Sequence, residues 1–152
     1  MRLLFVCLGN ICRSPAAEGV FLEKLSSQGL EDKVFVDSAG TSGFHEGAKA
    51  DSRMRQHAEQ RGIELVSRSR KFHKSDFEKF DLILVMDHSN KEDVLLLAES
   101  DDHRSKVKLM LEYGQSDYTE VPDPYYGGAE GFELVLDLLD ESCDKLLQSL
   151  KL

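Results

Sequence analysis

Residues 3–6 (Leu-Leu-Phe-Val) form a short unbroken apolar run that halts at Gly9-Asn10. This is the pattern of a strand buried on both faces, with no wet side to give alternation. Ser14-Pro15 then reads as a helix start, with Ser14 as N-cap and Pro15 at the first helical position. Apolar positions at Val20, Phe21 and Leu25 carry that helix to a stop near Gly29. Residues 34–36 predict a second strand, leading into Asp37-Ser38-Ala39-Gly40-Thr41. A helix over 48–61 follows, ended by Gly62 just past its last turn. Residues 82–86 give the clearest buried strand, 90–98 a further helix, and 107–111 a fourth strand. The last helix has the firmest pattern: Phe132, Val135, Leu136, Leu139, Cys143, Leu146, Leu147 and Leu150 recur at steps of three and four.

Strands that alternate with helices imply a parallel sheet covered on both faces, hence an α/β fold. No internal repeat, low-complexity tract or linker divides the chain, so residues 1–152 are expected to form one domain. The one long loop, about 114–127, carries Asp123-Pro124-Tyr125-Tyr126. Loops of that length in compact domains are often functional.

Composition narrows the function classes. A formal net charge of −9 repels nucleic acid and anionic membranes on average. An anionic substrate therefore needs a local positive site. No segment approaches the roughly 18 consecutive apolar residues that span a bilayer, and the apolar run at the N-terminus is too short for an ordinary signal peptide. Three cysteines, Cys7, Cys12 and Cys143, do not make a disulfide framework. A reducing, cytoplasmic setting fits this usage.

The chemistry concentrates in Cys7-Leu8-Gly9-Asn10-Ile11-Cys12-Arg13-Ser14, between the first strand and the first helix. Ligands of open α/β sheets bind beyond the carboxyl ends of the strands, where this loop lies. A loop entering a helix N-terminus gathers free backbone N–H groups and the positive end of the helix dipole, which together favour an anion. The same features and a nearby arginine stabilise a thiolate, the nucleophilic form of cysteine. Arg13, with five residues between it and Cys7, can fold back so that its planar fork matches two phosphate oxygens. Gly9 and Asn10 suit a tight loop because both tolerate positive φ. A nucleotide P-loop would end in Gly-Lys-Ser/Thr, and Cys7 and Cys12 stand too far apart for a redox Cys-x-x-Cys. Taken alone, such a pair more often describes a buried strand cysteine followed by a surface arginine. Its place on a strand-to-helix loop with Gly, Asn and Ser shifts the balance towards chemistry.

At this level the segment 6–15, Val-Cys-Leu-Gly-Asn-Ile-Cys-Arg-Ser-Pro, resembles the signature of the low-molecular-weight protein tyrosine phosphatases. Asp37-Ser38-Ala39-Gly40-Thr41, the stretch from Asp81 through Met86-Asp87 to Asn90, and Val121-Pro122-Asp123-Pro124-Tyr125-Tyr126-Gly127 resemble the family's other blocks in the same order. The resemblance implies a flavodoxin-like, doubly wound domain with a central four-stranded parallel sheet. It implies a phosphatase that hydrolyses phosphotyrosine and aryl phosphate monoesters through a cysteinyl-phosphate, releasing inorganic phosphate and using no cofactor and no metal. In that reading Cys7 is the nucleophile. Leu8, Gly9, Asn10, Ile11, Cys12, Arg13 and Ser14 form the phosphate-binding loop, and Asp123 is the general acid and base, although an Asp-Pro pair is also a common turn initiator. Asn10, Ser14 and Ser38 support the loop, and Ser14 also hydrogen-bonds the Cys7 thiolate. Phe44, Tyr125 and Tyr126 wall the cleft, where a ring can stack on the substrate's phenol. Cys12 is either a small loop residue or a redox partner that captures an oxidised Cys7 as a disulfide.

Cys143 belongs on the apolar stripe of the last helix, hence in the core. The basic run Arg68, Arg70, Lys71, His73 and Lys74 reads as a solvated face, and at Ser67-Arg68-Ser69-Arg70-Lys71 the chain departs from the family's usual histidine and Ala-Arg-Gln. Phosphotyrosine proteins or aryl phosphates are the expected partners, with neither nucleic acid nor membrane, and a monomer is expected. Two rivals share the loop. An arsenate reductase needs further cysteines on a mobile segment, and residues 75–100 contain none. A non-catalytic phosphate-binding module would not need the aspartate loop.

Overall fold

A computed structural model describes residues 1–152. Four parallel strands, β1 (Arg2–Cys7), β2 (Phe35–Gly40), β3 (Leu82–Val85) and β4 (Val107–Leu109), lie in the order β2-β1-β3-β4. Six helices accompany them: α1 (Arg13–Ser27), α2 (Ser52–Glu59), α3 (Asp76–Lys79), α4 (His88–Leu95), α5 (Asp101–Ser105) and α6 (Ala129–Ser149). The sheet and its two-sided cover are those the pattern predicts.

The uninterrupted apolar run of β1 now has its reason. Leu3, Phe5 and Cys7 face the cluster built by α1, α2 and α6, where Ala16, Ala17, Val20, Phe21, Met54, Phe132, Leu139 and Cys143 pack. Leu4 and Val6 point the other way, into Phe72, Phe77, Phe80 and Val94 around α3 and α4. A strand that alternates between two dry faces has no polar positions to show. Each fully buried Leu or Phe contributes about 1.5–3 kcal/mol relative to exposure. Cys143, fully buried with its thiol pushed up by that burial, is core as expected.

The sheet order places the site. β1 pairs with β2 on one side, Cys7 opposite Gly40, and with β3 on the other, Val6 opposite Val85. The chain leaves β1 and β3 in different directions, so a crevice opens beyond their carboxyl ends.

Several boundaries differ from the pattern. The helix expected over 48–61 starts only at Ser52, because the Asp51 carboxylate caps it, accepting from the Arg53 N–H at 2.8 Å. Residues before it instead pair with the chain near Arg68, Lys49 facing Arg68 in an antiparallel bridge. Gly62 lies past the helix with φ +78, as its position requires. The fourth strand stops at Leu109, where Glu112 turns the chain into a short 3-10 helix by accepting the Leu109 N–H at 2.7 Å. The helices α3 and α5 carry too few apolar positions to show a period in the sequence.

Candidate active site

The loop from Cys7 to Arg13 joins β1 to α1, and its conformation is held mainly by Asn10. That residue has φ +55, in the left-handed region asparagine tolerates, whereas Gly9 is not left-handed and serves by its small size. A Cβ on Gly9 would stand 3.2 Å from His45 Cδ2. Every polar group of the Asn10 side chain is used. Nδ2 donates to Ser14 Oγ at 2.8 Å and to Ser38 Oγ at 3.0 Å, while Oδ1 accepts the Arg70 N–H at 3.0 Å. Ser38 Oγ in turn donates to Glu18 Oε1 at 2.6 Å. Burial raises the Glu18 carboxyl above its ordinary range, opposed by hydrogen bonds from Ser38 and Ser67.

Ser14 Oγ accepts from Asn10 and lies 3.0 Å from Cys7 Sγ and 3.4 Å from the Ala39 carbonyl, so its one proton has two acceptors within reach and Cys7 is the nearer. The Asn10 N–H reaches the same sulfur at 3.2 Å. A backbone N–H and a hydroxyl, both able to donate, thus meet at this sulfur. Ser14 is therefore no helix cap. The N-terminal flanking position of α1 is Cys12, no side chain caps the helix, and the Ser14 hydroxyl points back to Cys7.

Gly40 lets β2 run against this loop. A Cβ there would meet the Leu8 carbonyl oxygen at 2.8 Å and that of Ser42 at 3.0 Å. Just beyond it the Thr41 and Ser42 N–H groups donate to the carbonyls of Cys7 and Leu8, both at 2.9 Å.

Arg13 is 3% exposed and firmly aimed. Nη1 donates to Asp87 Oδ2 at 2.6 Å and to the Val121 carbonyl at 3.1 Å, and Nη2 lies 3.7 Å from Asp123 Oδ2. Burial opposes its charge, yet Cys7 and Asp87 outweigh it and raise the guanidinium's pKa. Asp87 acts twice, since its other oxygen accepts the Asn90 N–H at 2.7 Å and caps α4. Nothing in the sequence near Asp87 points to its pairing with Arg13 beyond the capping spacing from Asp87 to Asn90. The Asp123 carboxylate is 41% exposed and held from within its loop by the Tyr125 N–H at 3.0 Å.

Cys7, Arg13 and Asp123 share one cavity of about 330 Å³. Cys7, Leu8, Gly9, Ile11, Cys12 and Arg13 form its floor, with Asp123, Phe44, Tyr125 and Tyr126 around it. Asn10, Ser14 and Ser38 are buried behind the floor and do not line it. Tyr126 and Phe44 are almost wholly exposed, 93% and 86%, whereas Tyr125 is 36% exposed and meets Tyr126 edge-on at 5.0 Å. Sequence reasoning missed His45, which lies between Phe44 (4.9 Å) and Tyr125 (6.4 Å) and completes the aromatic rim.

The basic run needs one correction. Arg68, Lys71 and His73 are exposed, but Arg70 is pinned, donating to Asp37 Oδ2 and both Asp76 oxygens at 3.1 Å. Its backbone is thereby fixed where its N–H orients Asn10. Lys74 is also paired, with Glu99. No group of three or more His, Cys, Asp or Glu side chains is placed to hold a metal ion, and no helix is long and apolar enough to cross a membrane.

Comparison with known proteins agrees with this geometry. The family model described as low molecular weight phosphotyrosine protein phosphatase matches residues 2–152. The low molecular weight protein-tyrosine-phosphatase of Streptomyces coelicolor is 39% identical over 99% of this chain and 93% of its own. The crystal structure of a protein tyrosine phosphatase from Entamoeba histolytica superposes with a TM-score of 0.96 at 45% identity, covering 99% of this chain and 97% of that one. The structure of the drosophila arginine phosphatase superposes at 0.92 with 33% identity, covering 100% and 99%. With a match of that extent and a nucleophile loop of this build, the chain belongs to the low molecular weight phosphotyrosine protein phosphatase family.

Proposed function

We propose that this chain hydrolyses phosphotyrosine in proteins, and aryl phosphates generally, through a cysteinyl-phosphate on Cys7. The observation that carries the proposal is the convergence of Cys7, Arg13 and Asp123 on one aromatic-rimmed cavity. The Cys7 thiolate attacks phosphorus, forming S–P as the bond to the phenol oxygen breaks. Asp123 gives its proton to the departing oxygen. Loop N–H groups and Arg13 hold the equatorial oxygens, where charge stabilisation is the main contribution. Asp123 then takes a proton from water as that water attacks phosphorus, inorganic phosphate leaves, and the Ser14 hydroxyl stabilises the released thiolate. Asn10, Ser14 and Ser38 hold the loop in shape. Phe44 and Tyr125, with the more exposed Tyr126, flank the substrate ring.

A second substrate class comes from the drosophila relative. Asp123 is the one carboxylate lining the cavity, and with it engaged as the acid no second carboxylate is left to pair with a substrate guanidinium, which favours a phenol. The test is kcat/KM on phosphotyrosine, phosphoarginine and phosphoserine peptides of one sequence. Phosphotyrosine is expected to lead by at least about 100-fold, roughly 2.7 kcal/mol of transition-state preference; a lead for phosphoarginine overturns the reading. Arsenate reduction finds no third reactive cysteine, since Cys143 is sealed in the core. We infer a monomer working in the cytoplasm, where its three unpaired cysteines persist as thiols.

The proposal extends to oxidation. Peroxide passes one oxygen to the Cys7 sulfur, giving the sulfenic acid and water. The Cys12 sulfur then bonds to it and a second water leaves. Burial, helped by Asp51, pushes the Cys12 thiol up to about 12, so it is protonated at neutral pH and no rival nucleophile. Its thiolate fraction, and so its capture of Cys7, grows about tenfold per pH unit below that value. After brief peroxide treatment, activity recovered by dithiothreitol is expected to rise from pH 6 to pH 8. In Cys12→Ser recovery is expected to be low at both; equal recovery by the variant removes Cys12 from this role.

A further inference from the structure

The loop that bears Asp123 has no regular secondary structure between the 3-10 helix and α6, yet a general acid must stand within hydrogen-bond reach of its oxygen. Its upstream end is anchored at Val121, whose N–H donates to the Met86 carbonyl at 2.8 Å and whose carbonyl accepts from Arg13. Beyond that point, apart from the turn into α6 where the Gly131 N–H donates to the Gly128 carbonyl at 3.1 Å, one hydrogen bond reaches residues 122–128 from the rest of the molecule. It runs from Arg53 Nη2 to the Tyr125 carbonyl at 3.0 Å.

Arg53 is itself tightly aimed. Nε and Nη2 bind the two Asp51 oxygens at 3.1 and 3.0 Å, a two-pronged fork, while the same carboxylate caps α2. The guanidinium carbon lies 5.4 Å from the Tyr125 ring centroid and 4.9 Å from that of Phe132, in the first turns of α6. Asp51 in turn rides on the nucleophile loop, its N–H donating to the Ile11 carbonyl at 2.7 Å. A closed path therefore runs from Ile11 through Asp51 and Arg53 to the Tyr125 carbonyl, and from the Tyr125 N–H back to the Asp123 carboxylate.

We propose that Arg53 is a positioning residue that sets the distance of the acid loop from the nucleophile loop, so that its loss appears as impaired proton donation by Asp123. A lysine would supply charge but not the fork that clamps Asp51 and still presents a proton to Tyr125. This rests on Asp123 being the proton donor.

The test is Arg53→Ala, alone and with Asp123→Ala, on aryl phosphates of graded leaving-group acidity, together with inhibition by inorganic phosphate. Arg53→Ala is expected to lower kcat/KM about tenfold for phenyl phosphate and less than about threefold for the most acidic phenols, since small misplacements of a catalytic group cost up to about 100-fold. Phosphate inhibition should be unchanged, because the cradle does not include Arg53. In the Asp123→Ala background the same substitution should cost less than about twofold, since its effect passes through the missing carboxylate. Losses equal across the series, additive with Asp123→Ala, or matched by weaker phosphate inhibition each overturn the role of Arg53. Asp123→Ala with no leaving-group preference of its own would instead sink the acid assignment on which it rests.

Discussion

Replacing Cys7 by serine is expected to lower kcat on phosphotyrosine by at least about 10⁴-fold, as loss of a covalent nucleophile does elsewhere. The hydroxyl has the same neighbours as the thiol, since Ser14 Oγ and the Asn10 N–H both point at position 7. Neither is a base, so nothing in the network takes the serine's proton. In the proposed mechanism phosphate, however, is held by loop N–H groups and by Arg13, and Asp87 and Val121 fix that guanidinium independently of position 7. The serine variant should therefore bind inorganic phosphate at least as well as the parent, read by calorimetry. The same variant retains phosphotyrosine proteins from extract, which identifies substrates. A variant with more than about one part in a hundred of parental turnover would remove Cys7 as nucleophile.

The second large effect is at Asp123. Asp123→Ala should lower kcat/KM by about 10²–10⁴-fold for phenyl phosphate, the usual range for a general acid, and far less where the phenol leaves readily. Asp123→Asn separates geometry from proton transfer. An amide oxygen can still accept the Tyr125 N–H that the aspartate accepts at 3.0 Å, so the loop keeps its turn. It donates no acidic proton, so the asparagine variant should show the same steep leaving-group dependence as the alanine one. A uniform loss across phenols, in either variant, would mean that the carboxylate shapes the loop and does not protonate the product. The carboxylate's position near Arg13 Nη2, at 3.7 Å, puts it on the side of the cavity towards which that guanidinium turns.

The sequence pattern carried the four strands, the helices α1, α2, α4 and α6, and the loop between β1 and α1, because each shows in a local run or period, and the alternation of strands with helices implied the parallel sheet. The spacing of Cys7 and Arg13, the permissive Asn10, and the apolar runs of β1 and β3 are of this kind. Where the pattern misled, the cause was a side chain with two possible uses. Ser14 before Pro15 looks like a cap, but in the folded chain its hydroxyl turns to Cys7 because Asn10 donates to it. Arg70 looks like one more surface cation, until Asp37 and Asp76 are brought to it from a strand and a helix.

What the chain alone determines, then, is that a cysteine and an arginine share a loop opening into a helix, and that this loop ends a doubly buried strand. Which distant carboxylates face Arg13, which backbone orients Asn10, and how Arg53 reaches the acid loop were decided only when the strands took the order β2-β1-β3-β4. The physical reason is that a charged or amide side chain specifies the kind of partner it needs but not which one. Among 28 acidic and 19 basic residues, the selection is made by whichever the packed core carries within hydrogen-bond reach.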